Sequence, residues 1–120
     1  MLSSCGHAAT PPDRPALTKI LKEMKFSPHD GYMGADAPED RAPLQAEVDK
    51  AIKDIAEMPN PLVADTVRNR LLDLISSVNW YATEDREEVG RYAIRIWRAA
   101  GFNQESGLFP INDDKVLAYP

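Results

Sequence analysis

Apolar residues recur along this chain at helical spacing. Leu17, Ile20, Leu21 and Met24 fall at i, i+3, i+4 and i+7 and predict a first helix from about Ala16 to Lys25. Pro15 suits its first turn, where a missing N–H is harmless. Residues 26–40 hold two glycines, two prolines and several Ser and Asp residues, and read as a long loop. Phe26, Tyr32 and Met33 either pin this loop to the core or belong to a functional surface loop. A second helix is expected from about Pro43 to Met58, with Leu44, Val48, Ala51, Ile52 and Ile55 as its apolar stripe. Pro59 ends it. Asn60 is expected to cap the next helix and Pro61 to fit its first turn, joining the two as an antiparallel pair. The third helix continues to about Val78 on Val63, Val67, Leu71, Leu74 and Ile75. Leu62 and Leu72 widen that face, which predicts that this helix is the central one.

A fourth helix is specified completely between Thr83 and Ala100. Thr83 is a candidate cap, and Glu84 and Asp85 put negative charge at the positive end of the helix dipole. Val89, Tyr92, Ala93, Ile96 and Ala100 form its inner stripe, while Arg95 and Arg98 lie near its negative end. Glu87 and Arg91 stand four apart, the spacing of a surface ion pair. Gly90 costs about 1 kcal/mol relative to alanine, which points to a close helix crossing. Gly101 supplies a left-handed C-cap, with Phe102 as the accompanying apolar contact. Beyond Asn103 the periodicity dissolves into an irregular tail, with a short hairpin through Asn112 to Lys115 as an option. The expected fold is all-α: a compact four-helix domain over residues 16–120, behind a flexible tether over residues 1–15.

Composition narrows the partners rather than the fold. At 120 residues the chain makes one domain that buries roughly two-thirds of its unfolded surface. A net charge of -5 disfavours nucleic acid, which needs a basic face, and suits a basic-surfaced protein partner. No apolar run approaches the roughly 20 residues of a membrane span.

The single cysteine, Cys5, excludes an intramolecular disulfide. Leu2, Ser3, Ser4 and Cys5 resemble the lipobox of bacterial lipoproteins, in which the cysteine is lipidated after the signal is removed. The charged start and apolar core of a signal are not present ahead of Leu2. Either translation begins upstream, the sequence is a piece of a longer precursor, or the match is accidental. If Cys5 carries lipid, Gly6 in place of an inner-membrane-retaining aspartate implies the periplasmic face of the outer membrane; otherwise a cytoplasmic location is expected. His7 to Pro15 is rich in proline and small residues, as in a spacer or a frayed terminus.

Catalytic parts are missing from the pattern. His7 and His29 have no partner at metal-ligand spacing, and no nucleophile elbow or phosphate-cradling loop occurs. No cofactor, no metal and no enzymatic activity are expected. Glu84, Asp85, Glu87 and Glu88 are a possible acid–base set, but their place at a helix start already accounts for them.

The segment Tyr81 to Leu108, with T-E-D-R-E, an aromatic-containing helix and then G-F-x-x-E-S-G-L, resembles a family of small bacterial all-helical domains of unknown function. Leu21 to Gly34, with Lys25-Phe26 and Tyr32-x-Gly34, has a counterpart there. The chain departs from that pattern after Leu108, where it continues Phe109, Pro110, Ile111. The resemblance implies an all-helical fold and carries no activity.

Two readings follow. One is a non-catalytic protein-binding module, a periplasmic lipoprotein that inhibits a secreted effector as an immunity protein does. Its candidate binding residues are Tyr32, Trp80, Tyr81, Glu84, Asp85, Glu87, Glu88, Ile94 and Trp97. Ile94 and Trp97 lie off the Val89/Ile96 stripe and are either a second core contact or an exposed interface. The other reading is a cytoplasmic structural or adaptor domain. Its membrane contact is nil, whereas the first reading touches a membrane only through lipid on Cys5.

Overall fold

Among the described residues five helices follow one another: α1 (Pro15–Lys22), α2 (Arg41–Ala56), α3 (Ala64–Ser77), α4 (Thr83–Ala99) and α5 (Asp113–Ala118). The computed structural model describes residues 14–29 and 31–118. The fold is all-α, and no strand occurs among the described residues; one isolated bridge joins His29 to Tyr32. A short 3-10 turn, Pro38–Asp40, leads into α2.

The centre of the bundle is α4, which packs against α1, α2, α3 and α5. This corrects the expectation that α3 is central, for among the described helices α3 packs against α2 and α4 alone. Of the two residues that widen the α3 face, Leu72 is 37% exposed and Leu62, ahead of the helix, is half-buried against the core; Val63, expected on the inner stripe, precedes the helix and is 57% exposed. On α4, by contrast, Val89, Ala93, Ile94, Ile96 and Trp97 are all fully buried. Ile94 and Trp97 therefore serve as a second core contact and not as an exposed interface. A helix contacted on so many sides has to be apolar off its main stripe, which is what this pair records.

The α2 stripe behaves as its spacing predicts, with Leu44, Val48, Ala51, Ile52 and Ile55 all buried. Helix α1 is shorter than its periodicity suggests and leaves Met24 72% exposed. It is stopped by Lys25, whose fully buried ammonium group reaches back to the carbonyls of Leu21 and Glu23 at 3.2 and 2.9 Å and pairs with Asp49 of α2 at 2.8 Å. Those bonds consume carbonyls that the end of a helix leaves open, and they tie α1 to α2.

The α2–α3 connection differs from the predicted cap. Asn60 does not cap α3, which begins at Ala64. Its Oδ1 instead accepts from Arg14 at 2.6 Å, and the same guanidinium donates to the carbonyls of Ile55, Ala56 and Met58 at the end of α2. Arg14, which the sequence assigns to the tether, thus belongs to the fold; Cys5 and the rest of residues 1–13 lie outside the described residues.

The tail is not a hairpin. Asn112 to Lys115 opens α5, with the Asn112 side chain accepting the Lys115 N–H at 2.9 Å as a cap. Val116 and Leu117 are half-buried against the core.

Candidate functional site

The acidic turn that opens α4 is divided by burial. Glu84 is exposed, whereas Asp85 is fully buried and Glu88 is 2% exposed. Asp85 accepts the Tyr32 hydroxyl at 2.7 Å and the Asp36 N–H at 3.0 Å. Glu88 meets His29 Nε2 through one oxygen and the Arg91 guanidinium through the other, at 2.7 to 2.8 Å. Both carboxylates thereby fasten the loop between α1 and α2 onto α4. Burial, with the Asp85 carboxylate it donates to, pushes the Tyr32 phenol well above the usual tyrosine range. Burial likewise pushes Tyr92 up to about 12, with Glu88 adding to the effect. Tyr32 is itself 6% exposed, so Tyr32, Asp85 and Glu88 form a buried network. The predicted Glu87–Arg91 pair is replaced by Glu88–Arg91, because Glu88 is the carboxylate on the side of α4 that Arg91 reaches.

The second motif, Gly101 to Leu108, is a lock around Trp97. Gly101 has φ +105, and the N–H groups of Gly101 and Phe102 return to the carbonyls of Arg98 and Trp97, closing α4 with the left-handed cap its sequence predicts. Phe102 stacks on Trp97 with ring centroids 4.4 Å apart, and the indole N–H donates to the Gln104 carbonyl at 2.9 Å. Arg68 from α3 lies over the same indole, 5.1 Å from its centroid, and donates to the Ser106 carbonyl at 2.6 Å. Fully buried Ser106 gives its hydroxyl and its N–H to Asp113, at 2.7 and 2.9 Å, and Glu105 accepts the Asp113 N–H at 2.8 Å. The E-S-G-L element therefore seats the first turn of α5.

What remains open to solvent lies elsewhere. A groove of about 390 Å³ runs between α3, the start of α4 and the segment 109–116, walled by Ile75, Gly90, Phe109, Ile111 and Val116. Gly90 shapes it: a Cβ at that position would sit 2.9 Å from the Phe109 ring. The close approach expected at Gly90 is real, but it is to an aromatic ring of the tail and not to another helix. Ile111 is 52% exposed. Glu87 lines the groove, and its Oε1 is buried without a hydrogen-bond partner among the described residues.

The α3–α4 turn contributes Asn79 and Thr83 to this groove and carries Trp80 between them. Trp80 is 78% exposed, with only the half-buried Tyr81 ring beside it at 5.9 Å. Thr83 does not cap α4, as its own helix start would require; its hydroxyl accepts from Arg86 at 3.1 Å. Of the candidate residues, Trp80, Tyr81, Glu84 and Glu87 are thus gathered at one end of α4, and Tyr32, Asp85, Glu88, Ile94 and Trp97 are interior. Sequence reading missed the far wall, Phe109 to Val116, since that stretch has no helical period; Gly90 was the one signal of it.

A second hollow of about 430 Å³ lies across α4, bordered by Glu23, Ser27, Tyr92 and Arg95. Its strongest charges are matched internally: Arg95 grips both oxygens of Glu23 at 2.9 and 2.6 Å, which holds the Glu23 carboxyl below the usual range. Among the described residues no group of His, Cys, Asp or Glu side chains is placed to hold a metal ion, and no helix is long and apolar enough to cross a membrane.

A family model for a domain of unknown function, DUF4844, matches residues 8–110. No curated protein and no solved structure matches the chain. The matched span takes in α1 through α4, the Asp85/Glu88 network and the Trp97 lock up to Pro110. The chain belongs to the DUF4844 family of domains of unknown function.

Proposed function

We propose that this domain is a non-catalytic protein-binding module whose partner docks on Trp80 and the adjoining groove. The observation that carries the reading is Trp80 itself, 78% exposed on a turn whose neighbours Asn79 and Thr83 wall an apolar groove. A large aromatic left in water beside a ready-made cleft has the character of an interface anchor, because its burial by a partner yields large contact area at little entropic cost. The acidic balance of the chain suits a basic-surfaced partner.

The module is carried as a lipoprotein, anchored through Cys5 on the periplasmic side of the outer membrane, where it inhibits a secreted effector as an immunity protein. The lipobox-like Leu2 to Cys5 supports this. So does the layout of the bundle: the chain enters it at Arg14, bonded to Met58 and Asn60 before α3, while the groove lies at the other end of that helix with Ile75 and Asn79. The α3 axis separates the two ends by about 20 Å at 1.5 Å per residue. An anchored domain of this layout turns its groove away from the membrane.

The test is a photo-crosslinking amino acid placed at position 80, with position 24 as an exposed control on another face. In the native organism, position 80 should yield a discrete adduct that Ile111→Glu abolishes, and position 24 should not. Adducts of equal yield from both positions, or none from position 80, would sink the reading. Metabolic labelling with a fatty-acid analogue separately tests the anchor: label lost in Cys5→Ser supports it, and an unlabelled wild-type chain favours the cytoplasmic adaptor.

A further inference from the structure

The groove reverses the sign of the chain. The sequence carries a net charge of -5, yet the groove is lined by Arg86, Arg91 and Lys115 against one carboxylate, Glu87. Glu87 turns its Oε1 into the wall, where the atom is shut off from solvent. Arg91 is held by the buried Glu88 at 2.7 to 2.8 Å, which leaves Arg86 and Lys115 as the cations that meet solvent. Neither of these two makes an ion pair among the described residues. Arg86 is also fixed in place. Its Nε donates to the Tyr81 carbonyl at 3.0 Å and its Nη2 to the Thr83 hydroxyl at 3.1 Å, while Nη1 has no acceptor among the described residues. A guanidinium braced in this way loses less freedom when an anion arrives. The rest of the lining is mostly apolar, and Gly90 lets the Phe109 ring lie against α4, where a Cβ would meet it at 2.9 Å.

We infer that the groove receives an acidic residue of the partner protein together with the apolar side chain next to it. The apolar side chain packs against Ile75, Phe109 and Val116, and the carboxylate meets Arg86 and Lys115. The inference rests on the protein-binding reading for the source of that segment. Charge complementarity selects it, because two solvent-facing cations with unspent donors suit a carboxylate, which accepts from several donors at once. An anion without an apolar neighbour would leave the walls in water. An apolar segment without an anion would press against two unpaired cations. The charge of the whole chain draws a basic surface. The local reversal then decides which acidic point on that surface sits at the groove, since electrostatic matching fixes register more than it adds affinity. Arg86 and Lys115 are the specificity elements of the docking surface, and Trp80 is their neighbouring anchor.

The experiment titrates the ¹⁵N-labelled chain with three blocked peptides, Ala-Leu-Glu-Leu-Ala and its analogues with glutamine or lysine at the centre. The glutamate peptide is expected to shift the amides of Thr83, Gly90 and Ile111. It should bind about fivefold more tightly than the glutamine peptide at low salt, with the margin closing in roughly 0.5 M salt, as exposed ion pairs require. The lysine peptide should bind most weakly. Lys115→Gln should narrow the margin by at least about twofold and leave the glutamine peptide unaffected; the side chain is exposed, so the fold is not at stake. Equal binding of the glutamate and glutamine peptides, or a margin that Lys115→Gln does not change, would overturn the role of the cations. Tightest binding of the lysine peptide would overturn the sign of the site. Absence of shifts around the groove would overturn the site itself. A discrete crosslink from position 80 in any of these cases leaves the binding module standing and only its recognition of an acidic segment refuted.

Discussion

At the scale of single residues, Asp85 shows how position on a helix conceals role. Its place in the first turn of α4 explains a carboxylate by the dipole alone, yet the structure buries it completely and gives it two donors from the α1–α2 loop. Tyr32→Phe removes one of them and leaves Asp85 Oδ1 short of a partner, so a loss of about 1–3 kcal/mol is expected in urea denaturation at neutral pH. The pH dependence follows from the direction of the shifts. Tyr32 and Tyr92 are raised from the ordinary 10.0, so their protonated forms favour the fold. Their contribution is full below pH 10 and falls as pH climbs toward the Tyr92 value of about 12 and beyond. Melts recorded across that range should show stability declining, and declining less steeply in Tyr32→Phe. Glu23 is shifted the other way, chiefly by the Arg95 hydrogen bond; its contribution is present above the ordinary 4.5 and lost as pH falls below it. Side-chain exposures of 32% and 40% leave that pair open to screening, and it is worth less than about 1 kcal/mol.

At the scale of elements, periodicity carried most of the fold. Four helices were legible because each has an apolar stripe repeating over several turns, and the glycine stop of α4 because left-handed backbone at Gly101 favours that residue. Gly101→Ala should accordingly cost about 1 kcal/mol, measurable by thermal denaturation. α5 was not legible. Six residues give too little period, and Asn112, Asp113 and Asp114 have the composition of a turn although they form a cap and an acidic first turn. What holds α5 is a contact across seven residues of sequence and invisible to pattern: Asp113 receiving the Ser106 hydroxyl and N–H. Asp113→Asn puts an amide donor against those donors, and a loss of about 1.5–3 kcal/mol is expected. If the substitution leaves both stability and the near-ultraviolet signal of Trp97 unchanged, the lock is not what seats the helix.

At the scale of the whole molecule, the same helix serves as scaffold along its length and as surface at its start. Burial decides between the two: Asp85 continues the Val89/Ala93 line inward while Glu84 beside it faces water, and Trp97 lies within α4 whereas Trp80 lies in the turn before it. The site was legible only in part: Trp80, Tyr81, Glu84 and Glu87 lie at the open end of α4, while the groove they adjoin is completed by an aperiodic segment. The buried acidic residues of α4 hold the fold together, whereas Trp80, 78% exposed, adds little to it. That contrast is tested most directly by the thermal melts of two single variants, Asp85→Asn and Trp80→Ala. Asp85→Asn should lower the midpoint by roughly 5–10 °C, the equivalent of a lost charge-assisted bond in a domain of this size. Trp80→Ala should move it by no more than about 2 °C, as for an exposed side chain with few contacts. A stable Asp85→Asn chain, or a Trp80→Ala chain that melts as early as Asp85→Asn does, would contradict the account.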